Sequence, residues 1–114
     1  MKIDKSLITG STTMLVLTLL KNGDKYGYEM IKDLEEKSDS TFVLKEGTLY
    51  PILHGLENDG MVESYMSETE GGRKRKYYRL TSKGQQFLEL KKKEWKFFIS
   101  KVNKVIGGDV YALA

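Results

Sequence analysis

Between Gly71 and Leu80 the chain carries five cationic side chains, Arg73, Lys74, Arg75, Lys76 and Arg79, and no acid. Ammonium and guanidinium groups this close together neutralise phosphates and release condensed counterions, which grips a polyanion without reading its sequence. The stretch from Glu57 to Glu70 holds five acids and neither Lys nor Arg. That segregation concentrates a positive field at one place, although the net charge is only +3 and the pI near 9.0. Upstream, EGTLYPILHGLEN carries side chains able to read base edges. Thr48 can meet a thymine methyl, Tyr50 and His54 can hydrogen-bond, and Pro51 shares their face. Gly47 and Gly55 let backbone approach phosphates closely. Each feature also has a plain reading: a basic run is often a solvated loop, His54 an incidental surface residue, and Tyr50 a packing residue.

The elements that position these groups follow from spacing. Leu49, Ile52, Leu53 and Leu56 recur at i, i+3, i+4 and i+7, which predicts a helix over residues 46–58 with Thr48, Tyr50, Pro51, His54 and Gly55 on or near its other side. Pro51 removes one backbone donor, so either the helix effectively begins near Pro51 or its first turn is loosened. Two strands follow, residues 62–67 and 76–80, joined through ETEGGRKR, whose Gly71-Gly72 supplies a tight turn. The basic run is thus expected at the tip of a hairpin. Before them, a first helix is expected over residues 7–21 and a second over 27–37, with Met30, Ile31 and Leu34 inward and Glu29, Asp33, Glu35 and Glu36 outward. Phe42, Val43 and Leu44 could form a very short strand. Helix, strand, charged tip, strand, helix is the order of a winged helix-turn-helix, a mainly α fold with a small β-hairpin.

Thr81 and Ser82 can cap a last helix that runs to about Ile106, where Gly107-Gly108 stops it. Leu88, Trp95 and Val102 repeat every seven residues, as do Phe98 and Val105, and Ile99 and Ile106. One small domain cannot cover that much apolar helix, so the expected partner is the same helix of a second copy. Leu88, Trp95, Phe98, Val102, Val105 and Ile106 are the expected dimer interface. The division is a winged helix-turn-helix over residues 1–80 and a dimerisation helix over 81–114, packed on the first helix as one continuous domain.

Composition bounds the chemistry. With 114 residues the chain holds one modest core. Cysteine is absent and His54 is the single histidine, which removes disulfides, thiolate nucleophiles and ordinary zinc sites. No nucleophile, base or metal set is visible, so an enzyme is not expected and no cofactor is implied. The opening MKIDKSLITG interrupts any apolar run with charge, and a cytoplasmic protein that does not enter the membrane is expected. Competing readings stay open. The Lys-rich helix with Trp95, Phe97, Phe98 and Ile99 also fits an amphipathic membrane-surface segment, although its sevenfold spacing favours a partner helix. An RNA-binding winged helix, or one that binds nucleic acid without sequence preference, is a further alternative.

The segments KNGDKYGYEMIKDL, EGTLYPILHGLENDGMVES, GGRKRKYYRLTSKG and EWKFF together resemble a PadR-family transcriptional regulator, of the short subfamily with a single C-terminal helix. The resemblance covers about residues 8–106. It implies a winged-helix homodimer that represses promoters at inverted repeats in double-stranded DNA and is often released by small molecules. In some short relatives the equivalent tryptophans of two subunits line a central pore and stack on flat aromatic compounds. By that resemblance Leu7, Gly10, Met14, Trp95 and Ile99 would line such a cavity, and Trp95 otherwise packs the interface. The sequence departs from many relatives at His54, where they carry Lys or Arg, and at Ile99, where some carry an acid.

Overall fold

The stripe of Leu49, Leu53 and Leu56 meets Val16, Leu17, Met30, Val62, Tyr78 and Leu88 in one buried cluster, to which four helices and the two hairpin strands bring apolar side chains. The computed structural model describes residues 1–107. Its elements are α1 (Lys5–Thr9), α2 (Thr12–Lys21), β1 (Lys25–Tyr26), α3 (Gly27–Lys37), α4 (Glu46–Asn58), β2 (Val62–Glu68), β3 (Lys74–Leu80) and α5 (Ser82–Ile106). The strands form an antiparallel sheet in the order β1-β3-β2. This is a winged helix-turn-helix with a long C-terminal helix, as the order of signals predicted.

Several boundaries differ from expectation for identifiable reasons. The first helix is broken in two. Gly10 closes α1, and the hydroxyls of Ser11 and Thr12 both donate to the Ile8 carbonyl, at 2.9 and 3.0 Å. Side-chain bonds of this kind divert the backbone from helical continuation. Phe42, Val43 and Leu44 form no strand. Instead Lys25 and Tyr26 pair with Tyr78 and Tyr77, a strand too short to carry any alternation.

The third strand starts earlier than predicted. Glu68 pairs with Lys74, Ser67 with Arg75 and Met66 with Lys76, so most of the basic run lies within the ladder. The tip is the turn from Thr69 to Arg73, closed by Gly72 N–H on the Thr69 carbonyl at 2.9 Å, with Gly72 at φ 78°. A left-handed residue at that point is what glycine supplies without strain.

Pro51 sits inside α4 without ending it. Its ring removes one donor early in the helix, and the buried leucine stripe holds the rest. Helix α5 is capped by Thr81, whose hydroxyl accepts the Gly84 N–H at 3.0 Å and donates to the Gly60 carbonyl at 2.7 Å. It ends at Gly107, in the left-handed conformation with φ 77°. The second expected stop, Gly108, and the remainder of the predicted 81–114 segment lie outside the described residues. Leu88 is fully buried in the protomer's own core, which corrects its placement in a dimer interface. Its sevenfold partners Trp95 and Val102 lie further along α5, past the end of that core.

Candidate nucleic-acid interface

On α4 the residues Gly47, Thr48, Pro51, His54 and Gly55 are exposed together on the side away from the leucine stripe. Neither Gly47 nor Gly55 has any described atom within 4 Å of where a Cβ would stand, so this face is open. Tyr50 differs. It is half-buried against the core, with its hydroxyl against Gly27 at the start of α3, where any Cβ would collide with the phenol ring. The packing reading of Tyr50 therefore describes its position, and its ring does not stand on the open face.

The pleat of β3 sorts the basic run by face, because successive side chains alternate. Lys74 and Lys76 share the face of buried Tyr78, next to α4. The Lys76 ammonium lies 3.8 Å from Glu57 of α4 and 5.5 Å from the Tyr78 ring centroid. Arg75, Tyr77 and Arg79 occupy the opposite face. There Tyr26 meets Tyr77 edge-on at 5.4 Å and Tyr77 stacks on Tyr65 at 5.7 Å. Arg75 caps the row 5.3 Å from the Tyr26 centroid, and Arg79 caps the other end 4.8 Å from Tyr65. Asp24 ties the row together, accepting from the Tyr65 hydroxyl at 2.7 Å and from Arg79 Nε at 3.3 Å. The hydrogen bond to Asp24 raises the Tyr65 phenol above its usual range, and burial raises those of Tyr77 and Tyr78. Only Arg73 and Lys74 of the run are exposed with no ion-pair partner among the described residues.

A second feature is a cleft that shares Thr13 and Phe87 with the hollow beside Pro51 and Gly55 of α4. Leu7, Gly10, Met14 and Trp95 line one cleft of about 590 Å³ between α1, α2 and α5, with Phe87 and Phe98 beside them. Trp95 and Phe98 are 6.2 Å apart by ring centroids. Ile99, the fifth residue expected there, is not among the lining residues. It stands one helical turn beyond Trp95 on the same side of α5, past the last lining residue, Phe98.

The model of the Transcriptional regulator PadR-like family matches residues 16–90. The chain belongs to this family. An uncharacterised protein of Lysinibacillus sphaericus is 36% identical over 93 residues, covering 82% of this chain and 85% of that protein. The transcriptional regulator YqjI of Escherichia coli is 32% identical over 80 residues, and the match spans only 37% of its length. Among solved structures, a transcriptional regulator from Clostridium thermocellum superposes with a TM-score of 0.80 at 37% identity, covering 87% of this chain and 96% of that one. A PadR-family regulator from Clostridium difficile R20291 gives 0.74 at 41% identity, covering 84% and 98%.

As a PadR-like chain this protein is a DNA-binding transcriptional regulator. Sequence reasoning placed α4 and the wing side by side but missed what joins them. Glu57 faces Lys76 and accepts from the Ser64 hydroxyl, and Asp24 and Tyr26 anchor the outer face. Asp24 follows a helix-ending glycine and looks like a turn residue, so nothing in its neighbours along the chain marks it. Among the described residues no helix is long and apolar enough to cross a membrane.

Proposed function

We propose that this PadR-like chain acts as a homodimeric repressor that binds an inverted-repeat operator and is released by a planar aromatic ligand. In this reading α4 enters the major groove with Thr48, Pro51 and His54 toward the bases, and Gly47 and Gly55 allow close backbone approach. Arg73 and Lys74, exposed and without an ion-pair partner among the described residues, grip phosphates from the wing. Two copies set their recognition helices about one helical turn apart, ~34–36 Å.

One observation carries the dimer and ligand parts. The Trp95 cleft opens directly onto an uncovered apolar stripe of α5, where Phe98 is 57%, Val105 86% and Ile106 71% exposed. A stripe of that length rimmed by lysines supports a partner surface. A second copy pairing there would close the cleft from above and bring two Trp95 rings near each other, a setting suited to stacking a flat ring.

The test is a titration of the full chain with duplex from the region upstream of its own gene, with random duplex as competitor. Specific binding at least about a thousandfold tighter than random is expected. A flat aromatic compound should quench Trp95 fluorescence and weaken the DNA complex in the same concentration range. Equal affinity for both duplexes would overturn the operator reading. Quenching without any loss of DNA binding would overturn ligand release.

A further inference from the structure

The wing has an internal division of labour. Beyond the last β1 pair, Tyr26 with Tyr77, the hairpin continues as a two-stranded ribbon of β2 and β3. An isolated ribbon of that kind is marginal in water and does not hold a fixed angle by itself. Two side chains of adjacent residues on β3 lash it to the body from opposite faces. Lys76 reaches Glu57 of α4 on one face at 3.8 Å. Arg75 reaches across the other face to the ring of Tyr26, the residue that opens α3, at 5.3 Å.

The guanidinium of Arg75 is set differently from its neighbours. Arg73, Lys74 and Lys76 are exposed, while Arg75 is half-buried, and its Nε is buried without a hydrogen-bond acceptor among the described residues. A buried guanidinium N–H with no acceptor is costly unless something else holds the charge. The electron-rich face of Tyr26 does so. Tyr26 is itself fixed, since its N–H donates to Glu29 at 3.2 Å and its ring meets Tyr77 edge-on.

We infer that Arg75 is a positioning residue of the DNA-binding wing: stacked on Tyr26, it sets the angle of the hairpin against α3 and α4 and does not itself neutralise a phosphate. This rests on the DNA-binding reading. The planar, delocalised cation is what the site requires, and a lysine ammonium would keep the charge but lose the stacking plane.

The experiment measures affinity for a fixed duplex from the upstream region across a salt series, using the full chain. The variants are Arg75→Lys, Arg75→Ala, Tyr26→Leu, the pair Arg75→Ala with Tyr26→Leu, and Arg73→Ala as a phosphate-contact control. Arg73→Ala should lower the salt slope by about one. Arg75→Ala and Arg75→Lys should each weaken binding about three- to thirty-fold with the slope unchanged, the range a cation–π contact spans. Tyr26→Leu should weaken binding similarly, and the paired change should add little, because each single change already breaks the same contact. Circular dichroism melts accompany each variant. If Arg75→Ala melts early, Arg75→Lys decides, since it retains charge and most of the volume. A slope that falls by about one in Arg75→Ala, with full affinity in Arg75→Lys, would overturn the inference while leaving DNA binding intact. A wild-type chain with no salt-dependent duplex binding would overturn both.

Discussion

Tyr65 shows how a residue on an open sheet face becomes tied into the fold. Its hydroxyl donates to Asp24 at 2.7 Å, and the Arg79 guanidinium covers its ring. The hydrogen bond to the Asp24 carboxylate favours the protonated phenol, so its folded-state pKa lies above the ordinary value near 10. A group with a raised folded pKa adds stability that is fully present below its unfolded pKa. That stability is lost as pH rises through the folded pKa, so the relevant window lies above ~10 and neutral solutions retain all of it. An alkaline absorbance titration of the native protein should show late-ionising phenols from Tyr65, Tyr77 and Tyr78, with one fewer in Tyr65→Phe. Ionisation of the Tyr65 phenol with the ordinary tyrosines would contradict the Asp24 bond. At this scale the sequence was partly legible. Tyr77 and Tyr78 alternate, so one of them had to face the core, and Tyr78 does. Asp24 and Tyr26 were invisible as partners because their contacts, Tyr65, Tyr77 and Arg75, lie about forty residues or more downstream.

At the scale of elements the junction of the hairpin with α5 is the tightest point. Gly84 is buried in the first turn of α5, where an added Cβ would overlap the Met61 carbonyl oxygen and lie 2.8 Å from Leu80 Cδ1. In an exposed helix interior, Gly→Ala gains roughly 1 kcal/mol. Here the sign should reverse. Gly84→Ala is expected to destabilise by about 1–3 kcal/mol, because backbone rather than a flexible side chain must move. Denaturant melts check this, and a gain in stability would contradict the packing described. The bounds of α3, α4 and α5 were legible, since apolar residues at helical spacing and their caps are local signals. The break between α1 and α2 was not, because an apolar run gives no hint that two hydroxyls will take the Ile8 carbonyl. Nor could the early start of β3 be read. Arg73 to Lys76 resemble a solvated tip by composition, and only pairing with Glu68, Ser67 and Met66 makes most of them a strand.

At the scale of the whole molecule, the apolar side chains left in water include a run along α5. Along α5, Phe97 is 65% exposed, in addition to Phe98, Val105 and Ile106, while Lys91 and Lys101 sit over the rings of Phe87 and Phe97. Covering this stripe with a second copy would hold the two α4 helices at a fixed separation. Phe98→Glu is expected to shift a dimer toward monomer in analytical ultracentrifugation, since two buried carboxylates would face each other across a symmetric seam. The protomer's own melt should change little when measured as a monomer, because Phe98 lies outside the buried core. Operator affinity should fall with the loss of the second half-site. A chain that stays dimeric after this change would place the seam elsewhere on the molecule.

The sequence by itself determined the class of this protein. Helical stripes, caps, a glycine turn and segregated charge are local patterns, and they specified a winged helix with a basic hairpin and an over-apolar last helix. Tertiary structure alone decided what each of those charged and aromatic groups does. Alternation along β3 divided one basic run into two faces, and packing buried Leu88 in the protomer and set Tyr50 against Gly27. It also gathered Leu7, Gly10, Met14 and Trp95 around one cleft and left Ile99 off its lining. The reason is physical: periodicity tells which way a side chain points from its own element, whereas its partner is set by whichever distant element the fold brings to that side.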